Sequence, residues 1–239
     1  MKLAWPRVLV MVPALNEEET IAAVVTDARA HLAPDVVVID DGSTDRTAER
    51  ATGAGATVLR LPYNLGVGGA LRTGLRYAVD QGFNRVVQLD GDGQHDAREA
   101  RRLLATLEDG YDLVVGSRFA AGYEVGRGRR ATMHMLSSIV SRRLGERITD
   151  TTSGFRAMGP DAIALFSREY PVDYLSDTVE ALLLAGSHGL RVTEIDVAMH
   201  PRQGGAPSSP GVKGVYHLTR LMLAIGLNDH VKPAAPTSS

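Results

Sequence analysis

Asp90 and Asp92 stand two residues apart in QLDGDGQHD, residues 88–96, directly after the apolar run Val86, Val87 and Leu89. Such a pair suits a nucleophile, a metal site, or a polar turn that ends a strand. Residues i and i+2 of an extended chain point the same way, so both carboxylates can offer oxygens to one cation. Mg²⁺ and Mn²⁺ accept such oxygens together with substrate phosphate, and Gln94 adds a neutral oxygen at the next same-side position. Gly91 and Gly93 let backbone and a bulky ligand approach closely.

A calcium loop of the EF-hand type is excluded, because His95 and Arg101 occupy the positions that need glycine and glutamate. An aspartyl phosphatase of the haloacid dehalogenase type carries Thr or Val where Gln94 stands, which counts against Asp90 as a nucleophile. The bland alternative is a polar strand end with Asp96 as N-cap of a helix from Ala97; it accounts for Asp96 and leaves Asp90 and Asp92 unexplained.

Two further polar clusters follow apolar runs. PALNEEE comes after the first and DDGSTD after the second. In the second, Ser43, Thr44 and Asp45 read as helix caps, whereas Asp41 can accept hydrogen bonds from a nucleotide base or ribose. NLGVGGALRTG is glycine-rich but lacks Lys-Ser or Lys-Thr, so it is not a phosphate loop of the ATPase kind. The histidines His95, His134, His200 and His217 are scattered, and none is assigned as a metal ligand.

These clusters need elements to hold them. Arg7–Val12, Val36–Ile39, Thr57–Leu61, Arg85–Leu89 and Asp112–Val115 read as buried strands. Helical patterns over Glu18–Leu32, Asp45–Ala54, Gly69–Gln81 and Ala97–Glu108 lie between them. The alternation predicts an α/β fold with a mostly parallel, Rossmann-like sheet and helices on both faces, whose ligands bind outside the carboxyl ends of the strands. The three polar clusters then share one edge.

After residue 116 the pattern changes: a glycine-arginine loop, GYEVGRGRR, precedes the helical positions Met133, Leu136, Val140 and Leu144. Pro160–Phe166 and Thr178–Ser187 read as helices and Leu190–Val197 as a strand. HPRQGGAPSSPGVKG is a loop of the length usually kept for function, Val215–Leu227 a last apolar segment, and 231–239 a disordered tail. We expect a single domain over 1–230, with a donor half to residue 116 and an acceptor half over 117–230.

The 239 residues carry 26 Lys and Arg against 28 Asp and Glu, so no charge excess points to nucleic acid. No cysteine is present, which removes thiolate chemistry and suits a reducing compartment. The N-terminal apolar stretch is short for a signal peptide, and no window reaches the roughly 18 apolar residues of a membrane span. These features predict a cytoplasmic protein that meets any membrane from its surface.

Taken in order, VPALNEEETI, VVVIDDGSTDRT, NLGVGGALRTG, VVQLDGDGQHD, LVVGSRF, TSGFRAM and RQGG resemble family 2 glycosyltransferases of the GT-A fold, nearest the dolichol- and polyprenyl-phosphate sugar transferases. The resemblance spans residues 7–227. It implies inverting transfer of a hexose from a GDP or UDP sugar, with Mg²⁺ or Mn²⁺, to polyprenyl phosphate. It places Pro13, Ala14, Asn16, Glu17 and Gly69 at the nucleotide, Asp41 at base or ribose with Gly42 and Ser43 shaping the turn, and Asp90, Gly91, Asp92 and Gln94 at metal and diphosphate.

It further places Arg118 near the phosphates or acceptor, Ser153, Gly154, Phe155 and Arg156 on the acceptor side, and Arg202, Gln203 and Gly204 in a loop closing over donor phosphate, with Gln203 towards the acceptor. A cation held by Asp92 and Asp90, with Arg118 or Arg202 closing nearby, thereby neutralises the charge on the leaving oxygen, which makes Asp92, Arg118 and Arg202 the catalytic candidates. The chain differs from the best-known lipid-linked members in carrying no C-terminal transmembrane helices.

A phosphate acceptor, with a second pKa of about 6, needs no general base. A hydroxyl acceptor on a glycan or secondary metabolite needs one, and Asp150, Asp177 and Glu180 are the candidates. Arg127, Arg129, Arg130, Arg142, Arg143 and Arg147 beside the 133–144 helix suit an anionic membrane surface or lipid phosphate; an ordinary helix docked on the core is the alternative. Val215–Leu227 can pack on the core, on a membrane or on a membrane-protein partner. Outside transferases, phosphoester hydrolysis and non-catalytic sugar-nucleotide binding stay open.

Overall fold

The computed structural model describes residues 7–118, 127–171 and 177–200, with the backbone alone for 127–132 and 177. The strands are β1 (Val8–Ala14), β2 (Val36–Asp40), β3 (Thr57–Arg60), β4 (Arg85–Gln88), β5 (Leu113–Ser117), β6 (Arg156–Met158) and β7 (Val192–Asp196). The helices are α1 (Ile21–His31), α2 (Thr47–Gly53), α3 (Val67–Asp80), α4 (Ala100–Glu108), α5 (Arg127–Leu144), α6 (Pro160–Glu169) and α7 (Asp177–Ser187). One seven-stranded sheet runs β3-β2-β1-β4-β6-β5-β7.

Every strand pair is parallel except those of β6, which is antiparallel to both β4 and β5. The mostly parallel expectation therefore holds. The strand Arg156–Met158 is new: three residues headed by an arginine are too short for an alternation or an apolar run to register, and the segment reads in sequence only as part of a polar motif.

Burial on both faces explains the near-continuous apolar strands. Leu9, Met11, Val37 and Ile39 face a core shared with α3, α5, α6 and α7. Val10, Val12, Val36 and Val38 face a second core with α1 and α4, and with Ala51 of α2. In α5, Leu136 and Val140 are buried in the first core and Leu144 packs against it, while Arg142, Arg143 and Arg147 are exposed. The apolar face over the described part of that helix is thus occupied by the protein itself, and Arg142 and Arg143 of its last turn face outward.

Several boundaries differ from the sequence-based ones, and three of them bear on the polar edge. β1 continues to Ala14, paired in register with Asp40. α1 begins at Ile21 rather than Glu18, because the N–H groups of Glu17 and Glu18 donate to Thr47 Oγ1 (2.8 Å) and Asp45 Oδ2 (3.1 Å). α4 begins at Ala100 rather than Ala97. Asp96 is consequently not its N-cap; it closes an Asx-type turn in which its Oδ1 accepts the Arg98 N–H at 2.8 Å. Ahead of α1 and α4, side-chain acceptors take the N–H groups of Glu17, Glu18 and Arg98 in turns that precede the helices.

α3 lies unusually close to the sheet, since a Cβ at Gly74 would stand 2.5 Å from Met11 Sδ and 2.8 Å from Ile39 Cδ1. Gly74→Val is expected to lower unfolding stability by about 1–3 kcal/mol through overpacking, measured as a reduced urea midpoint with an unchanged slope.

Candidate active site

The parallel register brings the turns after β1, β2 and β4 to one edge, where Asp41 N–H bonds Ala14 O at 2.9 Å and Leu89 N–H bonds Met11 O at 3.0 Å. Asn16 adopts φ 55°, the one left-handed non-glycine residue among those described. Asparagine tolerates that conformation better than most side chains. In this pose its N–H donates to Ser43 Oγ (2.9 Å) and its Oδ1 accepts the Thr44 N–H (2.9 Å). Asn16 and Ser43, both expected at the nucleotide, are therefore placed where they tie the β1 and β2 turns together.

Asp41 is buried at the end of β2, and its Oδ1 accepts the Leu65 N–H at 2.7 Å. Burial raises its pKa above the usual carboxylate value, and the Leu65 and Gly66 N–H groups only partly offset this. Gly42 turns the chain at φ 80°, and a Cβ there would stand 3.0 Å from Asn64 N, so the position needs glycine on two counts. A cleft of about 350 Å³ opens beside it, lined by Gly42, Ser43, Arg60, Leu61 and Pro62. Gly69 lies buried in α3, where a Cβ would meet Leu65 Cβ at 2.6 Å. It admits the loop whose N–H groups reach Asp41.

The β4 turn packs on β1. Thr20 Oγ1 donates to Gly91 O at 2.6 Å, and a Cβ at Gly91 would stand 3.3 Å from Glu17 Cγ and 3.5 Å from Pro13 O. Asp92 is buried, with Oδ1 accepting the Gln94 N–H at 3.0 Å, whereas the Asp90 side chain is 38% exposed. Among the described residues no three acidic or histidine side chains cluster as a self-sufficient metal cage. Two carboxylates and an amide at a sheet edge nevertheless fit Mg²⁺ or Mn²⁺, which commonly take one or two carboxylates and draw further oxygens from substrate phosphate and water.

Across the edge, Ser153 Oγ donates to Gly116 O at 2.6 Å, fixing the segment that leads into β6. A Cβ at Gly154 would stand 2.7 Å from Asp90 Oδ1, so the segment expected on the acceptor side meets the acidic turn directly. Arg118 pairs with buried Asp150 at 2.9 Å and donates to Thr152 Oγ1 at 2.8 Å. Glu194 Oε2 accepts the N–H groups of Thr149 and Asp150, each at 2.7 Å, which holds this loop on β7. Asp150, one of the candidate bases, is thus an ion-pair partner inside the protein.

Arg156 is buried beneath the site, donating to Ser153 O (3.0 Å) and Thr178 O (3.1 Å). Glu180 is half-buried on α7, next to that contact. Arg202, Gln203, Gly204, His217, the segment 215–227, the tail 231–239, the loop 119–126, and the side chains of Asp177, Arg127, Arg129 and Arg130 lie outside the described residues.

His95 is a member of the site that its residue type alone did not single out. Its side chain is 4% exposed, and Nδ1 accepts the Asp90 N–H at 3.0 Å. A lone histidine in a turn carries no periodic signal; only its place five residues after Asp90 hinted at a role.

The backbone is similar to that of glucosyl-3-phosphoglycerate synthase from Mycobacterium tuberculosis, with a TM-score of 0.71 and 21% identity over 99% of this chain and 83% of that one. Sheet, helices and the acidic edge together define an α/β glycosyltransferase of the GT-A fold. The family model for "Glycosyl transferase family 2" matches residues 9–170, and the chain belongs to that family. It is 30% identical over 236 residues to an undecaprenyl-phosphate mannosyltransferase of Micrococcus luteus, covering 91% of this chain and 95% of the other. It is 27% identical over 244 residues to the UDP-N-acetylglucosamine--dolichyl-phosphate N-acetylglucosaminyltransferase of Methanococcus voltae, covering 92% and 96%. Among the described residues no helix is long and apolar enough to cross a membrane.

The raised pKa of Asp41 has a defined sign. A proton held more tightly by the folded state contributes stability that is present below the unfolded value and is lost as pH rises through the folded one. Asn mimics the protonated form at every pH. The stability advantage of Asp41→Asn over wild type is therefore expected to grow from about pH 4 to about pH 7, measured by urea unfolding of both proteins across that interval.

Proposed function

We propose that this enzyme is a metal-dependent, inverting transferase that moves a hexose from a GDP or UDP sugar to polyprenyl phosphate at the inner face of the cell membrane, with residues 1–230 acting as one domain. The observation that carries this is the direct approach of Gly154, on the acceptor side, to Asp90 in the donor-side acidic turn. Relatives named for transfer to undecaprenyl and dolichyl phosphates support the acceptor class, and their differing sugars leave the donor base open.

In this mechanism the cleft beside Asp41, lined by Gly42, Ser43, Arg60, Leu61 and Pro62, takes base and ribose, and Pro13, Ala14 and Glu17 at the end of β1 border the diphosphate. Asp90, Asp92 and Gln94 hold the cation, which supplies positive charge against the diphosphate when bound. Asn16, Gly69 and Arg156 position the turns rather than touch the donor, while Ser43 both braces Asn16 and lines the cleft.

The acceptor phosphate oxygen attacks the anomeric carbon from the face opposite the diphosphate. The C–O bond to the diphosphate breaks, its electron pair stays with the nucleoside diphosphate, and configuration inverts. A phosphate dianion needs no proton removed, so no base is required of Asp150, Asp177 or Glu180. Arg118, oriented by Asp150, and Arg202 from the 201–204 loop balance the negative charge of donor and acceptor. The exposed Arg142, Arg143 and Arg147 suit an anionic membrane surface.

With labelled GDP- and UDP-hexoses, Mn²⁺ and polyprenyl-phosphate vesicles, solvent-extractable labelled lipid is expected, and Asp92→Asn should lower kcat by about 10²–10³-fold. Label found only in water-soluble product would overturn the lipid acceptor.

A further inference from the structure

His95 touches the acidic turn from beneath in a way that its neighbours do not. The Asp90 N–H donates to its Nδ1 at 3.0 Å, so the ring N–H is carried by Nε2. That Nε2 lies 3.6 Å from Oδ2 of the same aspartate. One imidazole therefore addresses both the backbone and the carboxylate of Asp90. The ring is itself held flat against Phe155, with centroids 4.7 Å apart and planes inclined by 12°. The backbone on either side of it is tied down, with His95 bridging Met199 and Gln94 O accepting the His200 N–H at 2.8 Å.

The other carboxylate oxygen, Oδ1, faces Gly154, where there is no room for a Cβ. Asp90 is thus flanked on one side by His95 and on the other by the segment that carries the stacked Phe155, while it remains 38% exposed towards the edge. A side chain at the end of a strand ordinarily chooses among several rotamers, and losing that freedom on cation binding costs affinity. A carboxylate oriented in advance by an outer polar contact, here the electrostatic approach of the Nε2–H dipole to Oδ2 at 3.6 Å, avoids part of that cost, and removing outer partners of a metal ligand typically weakens metal binding by about 10–100-fold.

We infer that His95 is a positioning residue that sets the Asp90 carboxylate for a divalent cation through Nε2, with Phe155 holding the imidazole in place. This rests on the assignment of Asp90 and Asp92 to the metal.

The two ring nitrogens separate under substitution. His95→Asn keeps an acceptor near the Nδ1 position and loses the Nε2 donor; His95→Gln can offer an amide N–H near the Nε2 position and loses the Nδ1 acceptor. Mn²⁺ affinity of the full chain is read by electron paramagnetic resonance of free Mn²⁺ at saturating UDP and, in parallel, GDP, with thermal midpoints measured alongside.

His95→Ala and His95→Asn are expected to weaken Mn²⁺ about 10-fold or more, and His95→Gln to stay within about 3-fold of wild type, whatever the order of the thermal midpoints. If His95→Ala does not fold, the Asn and Gln variants carry the comparison. Equal Mn²⁺ affinity in His95→Asn and wild type, with binding abolished by Asp92→Asn, would leave His95 a packing residue and sink the inference alone. Mn²⁺ binding unchanged in Asp92→Asn as well would remove the metal assignment on which it stands.

Discussion

Parallel pairing of β1 with β2 and β4 is the constraint on which the site depends. Because the three strands point the same way, the chain must turn three times at one edge, and each turn leaves backbone N–H groups without sheet partners. The residues at that edge are polar in part because they satisfy one another. Ser43, Asp45 and Thr47 accept the N–H groups of Asn16, Glu18 and Glu17, and Asp41 accepts that of Leu65. That edge is consequently a set of mutually braced loops, which is the kind of preorganisation the proposed transfer requires.

The antiparallel strand β6 does the corresponding work for the segment 153–155 that leads into it. Inserted between β4 and β5, it runs against its neighbours, so its entry end rather than its exit end reaches the catalytic edge. Ser153 and Gly154 arrive there by that reversal, and Gly154 can lie against Asp90 because it has no side chain. Arg156 follows as the first strand residue and is buried; its guanidinium bonds to Ser153 O and Thr178 O, joining β6 to α7. Buried cations of this kind hold only when hydrogen bonds replace lost hydration. Below the same edge Glu194 and Asp150 clamp the loop that bears the Arg118 partner.

Much of this was legible in the residues. Apolar runs of four to six residues announced most of the parallel strands; the order of acidic clusters behind them announced a shared edge; and the ordered motif set pointed to the family. Less legible were positions whose meaning depends on a distant partner. Asn16 and Ser43 look like ligand groups and brace each other. Asp96 looks like a helix cap and closes a separate turn three residues earlier. Arg156 looks like an acceptor contact and lies in the interior.

The sequence by itself determined the class of fold, the family, and the polar clusters at the strand ends, since periodicity, turn chemistry and motif spacing are local properties of a chain. Only the tertiary structure decided which polar groups face one another: the antiparallel entry of β6, the approach of Gly154 to Asp90, the stacking of His95 on Phe155 sixty residues away, and the pairing of Arg118 with Asp150. Contacts between residues far apart in sequence are made by the register and layering of the sheet. No local propensity encodes them, which is why a residue's type could be read in advance and its partner could not.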